Sequence, residues 1–184
     1  MLFRSPALVV VPKSVVTNWQ EEVMRFAPEL EVVVFENPAE RETLIQEAKA
    51  GQIILVNYGM LGSLAQSLKS RRWASMVLDE AQQIKNAGTQ RAKLLFQLEG
   101  DFRLALSGTP IENHLGELWS LFTFINPGLL GSLGEFKRRF GKAVKDPRHM
   151  AMLRAVISPF ILRRLKQQVL TELPDKTEII HHIS

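Results

Sequence analysis

The feature that most limits what this chain can fold into is a set of short apolar runs that do not alternate with polar residues. Leu8-Val9-Val10-Val11, Ile53-Ile54-Leu55-Val56, Met76-Val77-Leu78 and Leu104-Ala105-Leu106 are the clearest. A strand with one face in water alternates apolar and polar residues, so a run without alternation must be covered on both faces. Residues 7–11, 31–35, 53–56, 76–79 and 102–106 are therefore expected to be strands. Between them lie helical patterns. One opens at Ser14, expected as its N-cap, and places Val15, Val16, Trp19, Val23 and Phe26 on one face before Pro28 ends it. Others cover 39–50, stopped by Gly51, then 61–69 and 88–98. Strands separated by helices of this length imply an α/β fold with a parallel sheet flanked by helices. In such sheets ligands gather beyond the carboxyl ends of the strands. Pro12-Lys13-Ser14, Asp79-Glu80 and Ser107-Gly108-Thr109 all fall there.

The strand pattern stops after Pro110. Residues 114–125 are expected to be helical, with Leu115, Leu118, Trp119 and Phe122 on one face, and Asn126-Pro127-Gly128 breaks the pattern. Further helices are expected over 134–142, 148–157 and 160–170, and a last strand over 177–183. The organisation read from this is an α/β lobe over 1–126, a helical basic extension and linker over 127–176, and the start of another unit over 177–184. Trp19, Trp119 and Phe160 have apolar neighbours at helical spacing and are expected as core anchors.

Charge is segregated. Of the chain's net +4, residues 137–176 hold eleven Lys/Arg against three acids, a surplus of eight, which leaves the remainder at −4. Such a segment suits an anionic partner such as nucleic acid, or forms a set of solvated helix faces. Hydrophobic residues make up 46% of the 184, which is the composition of a globular chain. No apolar stretch reaches membrane-spanning length, because the longest, 118–133, is interrupted by Asn126, Pro127 and glycines. With no cysteine, disulfides and thiolate-bound zinc are excluded.

An apolar run ending in two adjacent acids is what a buried strand delivering a magnesium-binding edge looks like. Asp79 would hold Mg²⁺ through water, and Glu80 would position or deprotonate the water that attacks a γ-phosphate. Ser107 and Thr109 close a second buried strand in a hydroxyl-rich turn that could sense the nucleotide, or simply bond the turn's own backbone. Lys13 and Ser14 stand at a strand-to-helix turn, where free amides and the helix dipole favour a phosphate. Arg163 and Arg164 are adjacent and cannot both face a core, so at least one should meet an acid or a phosphate. His181 and His182 have no partner at ligand spacing. The Gly-x-x-x-x-Gly-Lys-Ser/Thr loop that cradles phosphates occurs nowhere in the chain.

With those residues in hand, the chain resembles the Swi/Snf-type DNA-dependent ATPases of helicase superfamily two. Leu8-Val9-Val10-Val11-Pro12-Lys13-Ser14 with Asn18-Trp19-Gln20-Glu21-Glu22 is similar to that family's motif Ia, which meets the DNA backbone. Ile54-Leu55-Val56-Asn57-Tyr58-Gly59 resembles its next DNA-side segment, which would add Asn57 and Tyr58 to the DNA face. Asp79-Glu80-Ala81-Gln82-Gln83-Ile84-Lys85-Asn86 resembles motif II, with Gln82 in the state-sensing position. Ser107-Gly108-Thr109-Pro110-Ile111-Glu112-Asn113 resembles motif III, which couples nucleotide state to DNA grip. Pro159-Phe160-Ile161-Leu162-Arg163-Arg164-Leu165-Lys166 is similar to the segment linking the two motor lobes. Lys13, Asn57 and Ser107 depart from the residues more usual at their positions.

The resemblance implies a RecA-like first lobe of a phosphate-loop ATPase, without its phosphate-loop strand. It further implies ATP and Mg²⁺ as cofactors, double-stranded DNA and nucleoprotein complexes as partners, and a place on the bacterial nucleoid or in a eukaryotic nucleus. The loop is expected ahead of Pro6 and the second lobe after Lys176, so the chain alone is expected not to turn over ATP. The strand at 102–106 should then have an unpaired edge through which copies of the chain associate. A different class of function stays open at this point: a non-catalytic module that binds DNA or protein through its basic segment.

Overall fold

A computed structural model describes residues 5–108, 115–141 and 146–164. The chain divides into two compact units, Met1–Gly141 and Lys142–Ser184. The first is built on five parallel strands: β1 (Ala7–Val11), β2 (Glu31–Val33), β3 (Gln52–Asn57), β4 (Arg72–Leu78) and β5 (Glu99–Ala105). Their order across the sheet is β2-β3-β1-β4-β5. The helices are α1 (Val16–Phe26), α2 (Arg41–Glu47), α3 (Ala65–Lys69), α4 (Gln90–Gln97), α5 (Leu115–Ile125) and α6 (Leu133–Phe140). The second unit contains α7 (Pro147–Ile157) followed by a 3₁₀ turn, Ser158–Phe160.

The unalternating runs do what their composition requires. Leu8 and Val10 of β1, with Ile54 and Val56 of β3, belong to one buried cluster, while Val9, Val11, Ile53 and Leu55 belong to another. Successive side chains on a strand point to opposite faces, so both faces of these central strands are dry. Val16, Trp19 and Val23 of α1 pack over the second cluster, and residues of α2, α3, α4 and α5 join the first. Each fully buried valine or leucine contributes about 1.5–3 kcal/mol relative to its exposed state, so burial on both faces makes these two strands a large part of what stabilises the layer. Two half-buried arginines tie helix ends to the sheet. Arg71 donates to the carbonyls of Ile45, Gln46 and Ala48 at the end of α2. Arg103 donates to those of Leu98 and Phe124.

Several boundaries differ from expectation. Ser14 does not cap a helix: the chain leaves β1 through a 3₁₀ turn, Lys13–Val15, and α1 starts behind it without a side-chain cap. True caps lie elsewhere, at Thr89 for α4, Asp146 for α7 and Ser132 for α6, where Ser132 and Glu135 form a reciprocal capping box. Gly51 is left-handed (φ +85) but stands beyond the end of α2, in the turn into β3. β4 begins at Arg72 and β5 at Glu99, so both run further upstream than their apolar cores suggested. Among the described residues β2 and β5 are the outer strands, and Phe102 and Leu104 of β5, with Leu106 just beyond it, are exposed by 57%, 39% and 37%. That agrees with an open margin at β5. The helix expected over 160–170 is absent where described: residues 161–164 have no regular structure. Phe160, expected in the core, is 48% exposed. The strand expected over 177–183 lies outside the described residues. No helix among the described residues is long and apolar enough to cross a membrane.

Candidate nucleotide-hydrolysis site and DNA face

Because β3, β1, β4 and β5 are adjacent and parallel, the turns that follow them stand side by side along one edge of the sheet. From β3 to β5 these are Asn57-Tyr58, Lys13-Ser14, Asp79-Glu80 and Ser107-Gly108. Thr109 lies outside the described residues.

The acid pair is held from every side. The Asp79 amide donates to the Val10 carbonyl at 2.9 Å, and the Ala81 amide donates to the Leu106 carbonyl at 2.8 Å. Asp79 Oδ1 accepts from the Glu80 amide at 2.8 Å, and its Oδ2 accepts from the Trp19 indole at 2.9 Å. Tyr58 donates its hydroxyl to the Asp79 carbonyl at 2.8 Å. Burial, and then the charge of Asp79, push the Tyr58 phenol well above the usual tyrosine range, so it remains a donor. Glu80 is left-handed (φ 49, ψ 52), the only non-glycine with positive φ among the described residues. That conformation costs an ordinary side chain about 1–2 kcal/mol. Strain of this kind collects at functional sites.

From Glu80 a chain of side-chain hydrogen bonds crosses to the neighbouring strand end. Gln82 Nε2 donates to Glu80 Oε2 at 2.5 Å, and Ser107 Oγ donates to Gln82 Oε1 at 3.0 Å. The amide of Gln82 therefore links Ser107 to the Glu80 carboxylate. Gly108 follows Ser107 directly. On the other flank, Lys13 and Ser14 are exposed, as the first two residues of the turn into α1. Asn57 uses Oδ1 to accept from the Gly59 amide at 3.0 Å and so shapes its own turn. Arg163 and Arg164 are exposed in the second unit, beyond the 3₁₀ turn.

The acids fit a magnesium ion held chiefly by substrate. Asp79 and Glu80 are both half-buried, and the described residues contain no cluster of three or more His, Cys, Asp or Glu. Mg²⁺ keeps several waters and takes one or two carboxylates plus substrate phosphates, which is what this donor set offers.

Two contacts were not foreseen from the sequence: Trp19 on Asp79, 60 positions apart, and Tyr58 on the Asp79 carbonyl, 21 apart. Their signal lay in the strand order, since the turns after β1 and β3 stand next to and near the end of β4. Trp19 is a packing residue, as expected, but also a donor to the site.

Residues 3–184 match the model of the SNF2-related domain. An uncharacterized ATP-dependent helicase of Mycoplasma pneumoniae is 41% identical over 172 residues, 93% of this chain and 16% of that protein. The chromatin-remodeling ATPase INO80 of Drosophila melanogaster is 39% identical over 194 residues, 95% of this chain and 12% of that protein. The SWI2/SNF2 ATPase core of Sulfolobus solfataricus, solved in complex with dsDNA, is 44% identical with a TM-score of 0.77, over 87% of this chain and 34% of that one. The chain thus spans a fifth or less of the curated relatives it matches.

Proposed function

Because this chain belongs to the SNF2-related domain family, we propose that it forms the core of the first motor lobe of an ATP-driven translocase of double-stranded DNA. Asp79 holds Mg²⁺ through water, and Glu80 orients the water that attacks the γ-phosphate. The bound magnesium, when present, neutralises charge on the β- and γ-phosphates. Gln82 carries the state of the site to Ser107, Gly108 and Thr109, and these transmit it to the DNA face. Lys13, Ser14 and Asn57 meet DNA phosphates, Tyr58 braces the Asn57 turn from behind by donating to the Asp79 carbonyl, and Arg163 and Arg164 give the second unit charge for DNA. The product of the cycle is movement of duplex DNA or remodelling of protein–DNA complexes, on the bacterial nucleoid or in a nucleus.

The observation that carries this reading is the continuous bonding from Asp79 and Glu80 through Gln82 to Ser107. Two acids at a strand end would need no such bridge if they were a solvated terminus. The test is ATP hydrolysis by the full-length protein with and without duplex DNA. Duplex DNA is expected to raise the rate, and a rate indifferent to DNA would refute the translocase reading.

A further inference from the structure

The structure holds three tryptophans, and they differ in what their indole N–H groups find. Trp73 donates to the Leu68 carbonyl at 3.1 Å and Trp119 to the Gly131 carbonyl at 3.0 Å, which are ordinary backbone partners. Trp19 alone donates to a carboxylate, that of Asp79. A bond to an ionised acceptor is roughly twice as strong as a neutral one. The ring making it is not free to drift, because Trp19 packs with Val16 and Val23 of α1 against the cluster formed by Val9, Val11, Ile53 and Leu55.

The geometry points to Trp19 as a positioning residue for Asp79, which together with Tyr58 ties that acid to both turns assigned to the DNA face. Each carboxylate oxygen has about two acceptor sites. Trp19 takes one on Oδ2 and the Glu80 amide takes one on Oδ1, so the carboxylate is locked while one site on each oxygen stays open for magnesium-bound water. Trp19 is the fourth residue of α1, directly behind the Lys13–Val15 turn. Tyr58 follows Asn57 and grips the Asp79 carbonyl. A shift of either turn on a DNA backbone therefore moves the acid. This inference rests on the reading of Asp79 as the magnesium-side acid.

Two measurements on the full-length protein test it. In the first, the indole ¹⁵N–¹H resonance of Trp19 is identified by its loss in Trp19→Phe and then followed in Asp79→Asn. It should shift markedly, while the resonances of Trp73 and Trp119 stay in place; an unmoved Trp19 resonance overturns the proposal. In the second, Trp19→Phe keeps the ring and removes the donor. The Mg²⁺ concentration for half-maximal hydrolysis should rise about tenfold, near the lower end of what a hydrogen bond to a charged group is worth, and saturating Mg²⁺ should restore most of the rate. An unchanged Mg²⁺ requirement, or a loss that magnesium cannot restore, overturns the proposal. If Asp79→Asn itself leaves Mg²⁺ dependence unaltered, the fault lies in the reading of Asp79. If Asp79→Asn is impaired and Trp19→Phe is not, only the positioning role fails.

Discussion

The left-handed backbone at Glu80 makes a prediction whose sign runs against the ordinary rule. In most positions glycine is less stable than alanine, by about 0.4–1 kcal/mol, through the larger freedom of the unfolded chain. At φ 49 and ψ 52 an alanine keeps the clash of Cβ with the backbone, which costs about 1–2 kcal/mol, and a glycine does not. Glu80→Ala and Glu80→Gly both remove the carboxylate and its bond from Gln82, so that loss cancels between them. Glu80→Gly should therefore be more stable than Glu80→Ala by about 0.5–1 kcal/mol. With a urea slope of about 2 kcal/mol/M, the unfolding midpoints should differ by about 0.3–0.5 M. A Glu80→Gly variant less stable than Glu80→Ala would refute the claim that the site stores backbone strain.

The bridge from Glu80 to Ser107 predicts that Gln82→Ala and Ser107→Ala are non-additive in kcat of the full-length protein. A double-mutant cycle should give a coupling of about 1 kcal/mol, and strict additivity would break the bridge. Ser132→Ala removes half of the capping box on α6 and should cost about 1 kcal/mol in thermal unfolding. Glu135 is held below the usual carboxylate range by its bonds from the Ser132 backbone and side chain. Its contribution should therefore be present above the ordinary value of about 4.3 and be lost as pH falls through the depressed folded value. Monitoring α6 by circular dichroism during acid titration, with Glu135→Gln as control, checks this. Duplex DNA affinity should fall about ten- to fortyfold between 50 and 200 mM salt if two or three phosphates are neutralised, and Lys13→Ala should lower the slope by about one unit. Salt-insensitive binding would contradict a phosphate contact there.

What the sequence made legible was what burial dictates locally. β1 and β3 declared themselves because both of their faces are dry, and Val9 and Val10 serve opposite clusters equally well. The upstream halves of β4 and β5 did not, because Arg72, Glu99 and Asp101 meet at the surface, where Arg72 pairs with both acids. Ser14 suggested a cap by residue type alone, and the 3₁₀ turn behind Pro12 removed the need for one. In the site, Asp79 and Glu80 were legible as acids closing an apolar run. The partners that give them a defined geometry were not, because Trp19 and Tyr58 reach Asp79, and Ser107 reaches Gln82, only through the strand order β3-β1-β4-β5. Sequence separations of 60, 21 and 25 leave no local trace of such contacts.

The central claim is that Glu80 orients the attacking water at a strand end whose neighbouring turns hold DNA. Glu80→Gln in the full-length protein tests it most directly, because it keeps the shape, the left-handed backbone and an acceptor for Gln82 while removing the charge. DNA-stimulated hydrolysis should fall by about 10²–10⁴, the usual worth of a positioned acid–base group, with duplex DNA affinity within a factor of about two of the unsubstituted protein. Hydrolysis that survives the substitution, or DNA binding lost together with it, would contradict the account.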